Sequence, residues 1–161
     1  RAQIVKIETA DEGEVRIYTD GACRGNPGIG GWGVLIIGES SQTELLGAEP
    51  ATTNNRMELK AAIEGLEAVG ASQPVAVYTD SQYVRNGITD WMTKWKRNGW
   101  RTASRKAVKN QDLWEALDNA RQARSVSWHW VRGHSGHPQN ERADALANLA
   151  IDDYLKDGER N

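Results

Sequence analysis

The chain has 161 residues, enough for one domain with a core of its own and no need of disulfides or a structural metal. With 39% hydrophobic and 26% charged residues its composition is that of a soluble globular protein, which excludes a disordered or fibrous chain. The longest apolar run, Trp32 to Ile37, is far too short to span a membrane, and Lys6, Glu8, Asp11 and Glu12 break up any signal-peptide core. The single cysteine, Cys23, has no intramolecular partner, which fits a reducing cytoplasm. The net charge of −2 says little about partners, but its distribution does. Residues 85–109 carry +7 and the remainder −9, so a basic block sits on an acidic body. Such a block suits a polyanion, whose phosphates release counterions on contact, or it is simply a solvated helix face.

In chain order, residues 15–20 (VRIYTD) read as a strand, followed by a Gly-rich loop from Gly21 to Gly31 and a second strand from Trp32 to Ile37. Glu44 to Ala48 reads as a third strand pairing back as a hairpin. Residues 54–69 have Leu59, Ala62, Ile63, Leu66 and Val69 at helical spacing. Residues 75–79 form a further strand, followed by a short helix from Ser81 and another around Trp91 to Arg97. Residues 110–124 read as a helix, 126–131 as a strand, and Pro138 suits the first turn of a final helix. Short connections make the first three strands antiparallel, whereas the helical crossovers make the later ones parallel. The expected fold is α/β, a mixed five-stranded sheet flanked by helices.

Two strands end in the same triplet, Tyr18-Thr19-Asp20 and Tyr78-Thr79-Asp80, which sets both aspartates at the carboxyl edge of the sheet, where open α/β sheets bind ligands. Glu58 and Asp144 border the apolar stripes of their helices, so the four acids can converge on one rim. Converging carboxylates repel, and a hard divalent cation relieves them; Mg²⁺ or Mn²⁺ suits an all-oxygen donor set. A pair of such ions supports phosphodiester hydrolysis. Each acid also has a plainer reading. Asp80 can cap the helix after it, Asn55-x-x-Glu58 resembles a capping box, Asp20-Gly21 is good turn chemistry, and Asp144 can be a solvated helix residue.

Five blocks then carry a resemblance: YTDGACRGNPGIGGWG (18–33), TTNNRMELKAAIEGL (52–66), YTDSQYV (78–84), KNQDLW (109–114) and VRGHSGHPQNERADALA (131–147). In this order the chain resembles bacterial type-I ribonuclease H from about Val15 to Ala150. The resemblance implies a ribonuclease H-like fold and an endonuclease that cuts the RNA strand of an RNA–DNA hybrid, leaving 5′-phosphate and 3′-hydroxyl ends. It makes Asp20, Glu58, Asp80 and Asp144 ligands of two Mg²⁺ ions, with Mn²⁺ an expected substitute. Asp20 would bridge the ions, and Glu58 would bind one of them and approach a 2′-hydroxyl. His134 would assist proton transfer or product departure. Cys23, Asn26, Asn54, Asn55 and Gln82 would face the hybrid's shallow minor groove, where 2′-hydroxyls are displayed. Thr53 and Asn110 resemble a phosphate pocket for the DNA strand, and residues 85–109 resemble a basic substrate-binding protrusion. There Trp91, Trp95, Lys96, Arg97 and Arg101 are the expected contacts. A cytoplasmic monomer is expected, built as one domain over residues 14–156 with an N-terminal extension (1–13) of no assigned role and a tail (157–161).

Other signals are discounted. Gly28 to Gly33 formally satisfies G-x-G-x-x-G, but the strand that follows is not the helix a dinucleotide site requires. His134 and His137 lack further ligands for a closed zinc site. Trp95 reads as core of the protrusion rather than a stacking platform, and Trp128 and Trp130 as core of the sheet. Rival readings are a non-catalytic hybrid-binding module, a DNA-cutting relative and a calcium-stabilised structural domain.

Overall fold

The structure, a computed structural model, describes residues 14–132 and 137–160. Five strands form one sheet in the order β3-β2-β1-β4-β5, with β1 Val15–Arg24, β2 Gly28–Ile37, β3 Gln42–Thr52, β4 Val75–Thr79 and β5 Val126–Trp130. β1, β2 and β3 are antiparallel, and β4 runs parallel to both β1 and β5, as the connection lengths require. Helix α1 (Asn54–Glu67) packs on β1 and β2 and against α4 (Gln111–Gln122). Helix α5 (Pro138–Arg160) packs on β1, β2 and β3. Between β4 and α4 lie α2 (Gln82–Asn86), a π-helical turn (Gly87–Trp91) and α3 (Met92–Arg97).

The strand alternation explains the layers. Ile17, Val34, Ile36, Leu45 and Val77 join Leu59, Ile63, Leu66, Trp114 and Leu117 in the main core. Tyr18 and Leu35, on the opposite face, pack with Ala143 of α5. Among the described residues no helix is long and apolar enough to cross a membrane.

The expected Gly-rich loop is mostly ladder. β1 extends through Arg24 and β2 starts at Gly28, with Gly21 opposite Trp32 and Cys23 opposite Gly30, so only Gly25, Asn26 and Pro27 turn. Gly25 has φ 79°, a left-handed conformation open to glycine. The glycines serve close approach instead: a Cβ on Gly33 would lie 2.3 Å from the Ala143 carbonyl oxygen and one on Gly31 2.2 Å from that of Ala147. β3 likewise outruns its expected bounds, pairing with β2 from Gln42 to Thr52. The two expected short helices after Ser81 follow one another through the π-helical turn. Trp128 and Trp130 are only half-buried, because β5 is an edge strand with β4 as its one neighbour among the described residues; the indoles stack at 5.7 Å and pack on the margin of the core. Residues 157–160, expected as a tail, continue α5.

Replacing Gly33 by alanine should cost about 1–3 kcal/mol, since strand and helix backbones must separate to admit the methyl. Gly70, where an added methyl would meet nothing within 4 Å, should tolerate alanine within about 0.5 kcal/mol. Chemical denaturation of both variants checks this; equal stabilities would contradict the close packing of α5 on β2.

Candidate active site

The repeated Tyr-Thr-Asp triplets acquire meaning from register. Tyr18 of β1 lies opposite Tyr78 of the parallel β4, and their rings stack at 4.7 Å. Asp20 and Asp80 follow at equal offsets, so both reach the same level of the sheet. Asp80 stands just past the end of β4, but Asp20 does not end its strand: it lies within β1, opposite Gly33, where the parallel pairing has stopped and the antiparallel ladder continues.

Glu58 comes from α1. A Cβ on Gly21 would lie 2.5 Å from the Glu58 backbone nitrogen, so glycine there lets β1 and α1 approach until Asp20 and Glu58 are neighbours. Carboxylate oxygens of Asp20, Glu58 and Asp80 lie within 4.8 Å of one another. Asp144, from α5, lines the same pocket close enough to Asp20 to raise its pKa. All four acids, together with Asn54, Asn55, Gln82 and Tyr83, line one pocket of about 370 Å³.

Asp20 is 4% and Glu58 7% exposed. Burial, then the charge of Asp80 and the nearby Asp144 carboxyl, push the Asp20 carboxyl up to about 8, against one opposing hydrogen bond from the Gly21 N–H. Burial and the charges of Asp20 and Asp80 hold Glu58 well above the usual carboxylate range. Asp20 Oδ2 and Glu58 Oε1 are buried with no hydrogen-bond partner among the described residues. Buried carboxyl oxygens that resist ionising together and lack donors among the described residues are a fitting donor set for a hard divalent cation, whose charge would hold them ionised.

The capping readings are corrected. Thr53, not Asn55, caps α1, accepting from the Arg56 N–H at 3.2 Å. Ser81, not Asp80, caps α2, accepting from the Val84 N–H at 3.1 Å. In each case the hydroxyl sits where its Oγ reaches the N–H three residues on, and Glu58 and Asp80 are left to the pocket.

The other expected site residues fall into three places. Asn54 is held beside the carboxylates: its side chain donates to the Gly21 carbonyl and its N–H to Asn26 Oδ1, both at 3.1 Å. The Cys23 thiol, half-buried near the turn, faces the carbonyls of Gly25, Gly28 and Thr52. Asn110, in a left-handed conformation before α4, accepts from Arg56 and donates to the Tyr83 hydroxyl. The protrusion is separate. Trp91, Trp95 and Trp100 form a chain of rings that reaches Trp114 through Trp95, so Trp95 packs as expected. Lys96 pairs with the buried Asp118 at 2.9 Å, while Arg97 and Arg101 are exposed. His134 lies outside the described residues.

Arg56 and Tyr83 were missed from sequence. Arg56 binds Asp112 through both guanidinium ends, at 3.1 and 2.8 Å, and links α1 to α4. A cation in the first turn of a helix opposes the macrodipole, and that was the available signal that it has a partner elsewhere.

The RNase H family model matches residues 12–152. The chain is 62% identical over 147 residues to the ribonuclease H of Halorhodospira halophila, covering 91% of this chain and 99% of that one. It is 58% identical over 139 residues to the ribonuclease H of Cupriavidus necator, covering 86% and 96%. Among solved structures it is similar to LC9-RNase H1, a type 1 RNase H, with TM-score 0.77 and 37% identity over 88% of this chain and 74% of that one. It is also similar to LC11-RNase H1, solved in complex with an RNA/DNA hybrid, with TM-score 0.67 and 27% identity over 88% and 99%. The matched span contains all four clustered acids, and the chain belongs to the RNase H family.

Proposed function

We propose that the protein hydrolyses the RNA strand of RNA–DNA hybrids, leaving 5′-phosphate and 3′-hydroxyl ends, with Asp20, Glu58, Asp80 and Asp144 holding two Mg²⁺ ions that Mn²⁺ can replace. The observation that carries this reading is the pair of buried oxygens, Asp20 Oδ2 and Glu58 Oε1, that have no hydrogen-bond donor among the described residues and lie beside Asp80. A scaffold that only bound a polyanion would gain nothing by burying negative charge at its centre. The similarity to LC11-RNase H1, which was solved with a hybrid, supports the substrate class.

The cations, when bound, supply charge neutralisation and an activated water for phosphodiester hydrolysis. The protein's part is positioning. Asn54 is fixed by two hydrogen bonds, while Asn55 and Gln82 line the pocket beside the acids, at hand for ribose hydroxyls in a shallow minor groove. Cys23 and Asn26 shape the adjoining turn. Thr53, Arg56 and Asn110 offer a polar cluster to the DNA strand's phosphates. Trp91, Arg97 and Arg101 extend the contact along the duplex. His134 is assigned proton transfer or product departure on the resemblance alone. A cytoplasmic monomer completes the reading.

Incubation of end-labelled hybrid with Mg²⁺ should give cutting confined to its RNA strand, with single-stranded RNA, duplex RNA and duplex DNA intact. Asp20→Asn should lower the rate on the order of a hundred- to a thousandfold. Cleavage of plain duplex DNA would instead favour a DNA-cutting enzyme.

A carboxyl whose pKa rises on folding adds stability only while protonated. That contribution is complete below its ordinary value of 3.8 and is lost as pH rises through about 8. In chelator, the thermal midpoint should therefore fall between about pH 5 and about pH 8, and Mg²⁺ should restore it at the upper end. Asp20→Asn should flatten this dependence and leave the metal-free protein roughly 1–3 kcal/mol more stable at the alkaline end. A midpoint that does not move with pH in wild type would contradict the buried acid cluster.

For the protrusion, Arg97→Ala and Arg101→Ala should each reduce the slope of log affinity against log salt by about 0.7–0.9. Lys96→Ala should change it less, because Asp118 already engages that ammonium. Equal slopes in all variants would place the hybrid elsewhere.

A further inference from the structure

The carboxylate pocket continues past Asp80. A second cavity of about 330 Å³ shares Asp80, Ser81 and Gln82 with it and opens toward the carboxyl end of β5, where Arg85, Trp130 and Arg132 form its far wall. Arg85 belongs by sequence to the basic block, yet α2 directs it away from the protrusion and onto Trp130, its guanidinium carbon 6.0 Å from the ring centroid. Arg85 and Arg132 are both exposed, and neither has an ion-pair partner among the described residues. Two guanidiniums thus face a groove that leads straight into the acid cluster.

We propose that this groove is a phosphodiester subsite in which Arg85 and Arg132 hold a backbone phosphate of the strand being cut, adjacent to the scissile one. The proposal rests on the hydrolytic reading above. Continuity selects the strand. Asn55, Arg56 and Asn110 lie on the α1 and α4 side of the pocket, whereas this cavity lies on the β5 side, so the backbone that crosses the acids is the one that enters it. Chemistry selects the group. A guanidinium presents a planar fork of donors that matches phosphate oxygens, and resting on an indole restricts Arg85 before substrate arrives. With Arg85 over its ring and Trp128 stacked beside it, Trp130 is already partnered, and the free donors facing the groove are guanidinium N–H groups. The subsite also places cations beside an acid-rich centre that would otherwise repel the incoming strand.

The test uses the Mg²⁺-loaded enzyme and a DNA strand with a short run of ribonucleotides, paired to DNA, so that cutting is confined to a few positions. Neutral methylphosphonates replace single phosphates on either side of the cut. In wild type, one such replacement should raise KM about tenfold, the loss of a charge-assisted contact. The Arg85→Gln, Arg132→Gln double variant should show a similar rise in KM with a smaller change in kcat. In that variant the same methylphosphonate should add nothing, and Lys at either position should recover part of the loss. Unfolding midpoints equal to wild type exclude a folding defect. An unchanged KM in the double variant, or a methylphosphonate penalty that persists in it, overturns the subsite. So does a penalty that appears only when a base, rather than a phosphate, is removed. Wild type that leaves the hybrid uncut overturns the hydrolytic reading itself, whereas cutting indifferent to both arginines overturns the subsite alone.

Discussion

Two acid side chains held out of water against each other set the terms for the whole molecule. Asp20 and Glu58 gain nothing from their mutual proximity as anions, so everything around them must keep them there. That work is done by apolar packing remote from the charges. The β1 and β4 strands are locked in register through Tyr18 and Tyr78, α1 is seated on β1 by Leu59, Ile63 and Leu66, and α5 lies on β2 at glycine contacts. Gly21 is where the two demands meet: the strand approaches the helix so closely there that no side chain fits between them.

Much of this was legible in the sequence because it is local or periodic. The twin Tyr-Thr-Asp triplets marked both aspartates, helical spacing marked α1, and connection lengths marked the early strands as antiparallel and the later ones as parallel. The five blocks of resemblance marked the acid set together with Asn54, Asn55 and Gln82, which the pocket gathers around it. What escaped depends on partners distant in the chain. The Gly-rich stretch read as a loop because nothing local reveals that Gly21 to Arg24 will find Ile29 to Trp32 across a ladder. The caps were displaced because Thr53 and Ser81 are no better cap formers on paper than their neighbours; only the strand exits decide which hydroxyl meets the helix end. The half-exposure of Trp128 and Trp130 follows from β5 being an edge, which alternation along a single strand cannot tell.

The basic block is divided by the fold into parts with different fates. Lys96 is tied to the buried Asp118, which also binds Arg121 and so acts as a local anchor for the base of the protrusion. Arg97 and Arg101 remain at its surface. Arg85 leaves the block altogether and joins the wall beside Asp80. A run of like charges in sequence is therefore not one surface: helix phase sends its members to an ion pair with a buried aspartate, an outer rim and the edge of the carboxylate pocket.

The meeting of Gly87 with Trp114 fixes something further. A methyl group at Gly87 would fall 1.9 Å from the indole, so the segment joining α2 to α3 rides directly on that ring. The same indole touches Trp95 within the protrusion and donates to Tyr83 beside the pocket. One rigid aromatic plate thus serves as the gauge between grip and blade. A smaller ring at Trp114 would remove the stop against which Gly87 and Trp95 rest, and the base of the protrusion would settle toward α4.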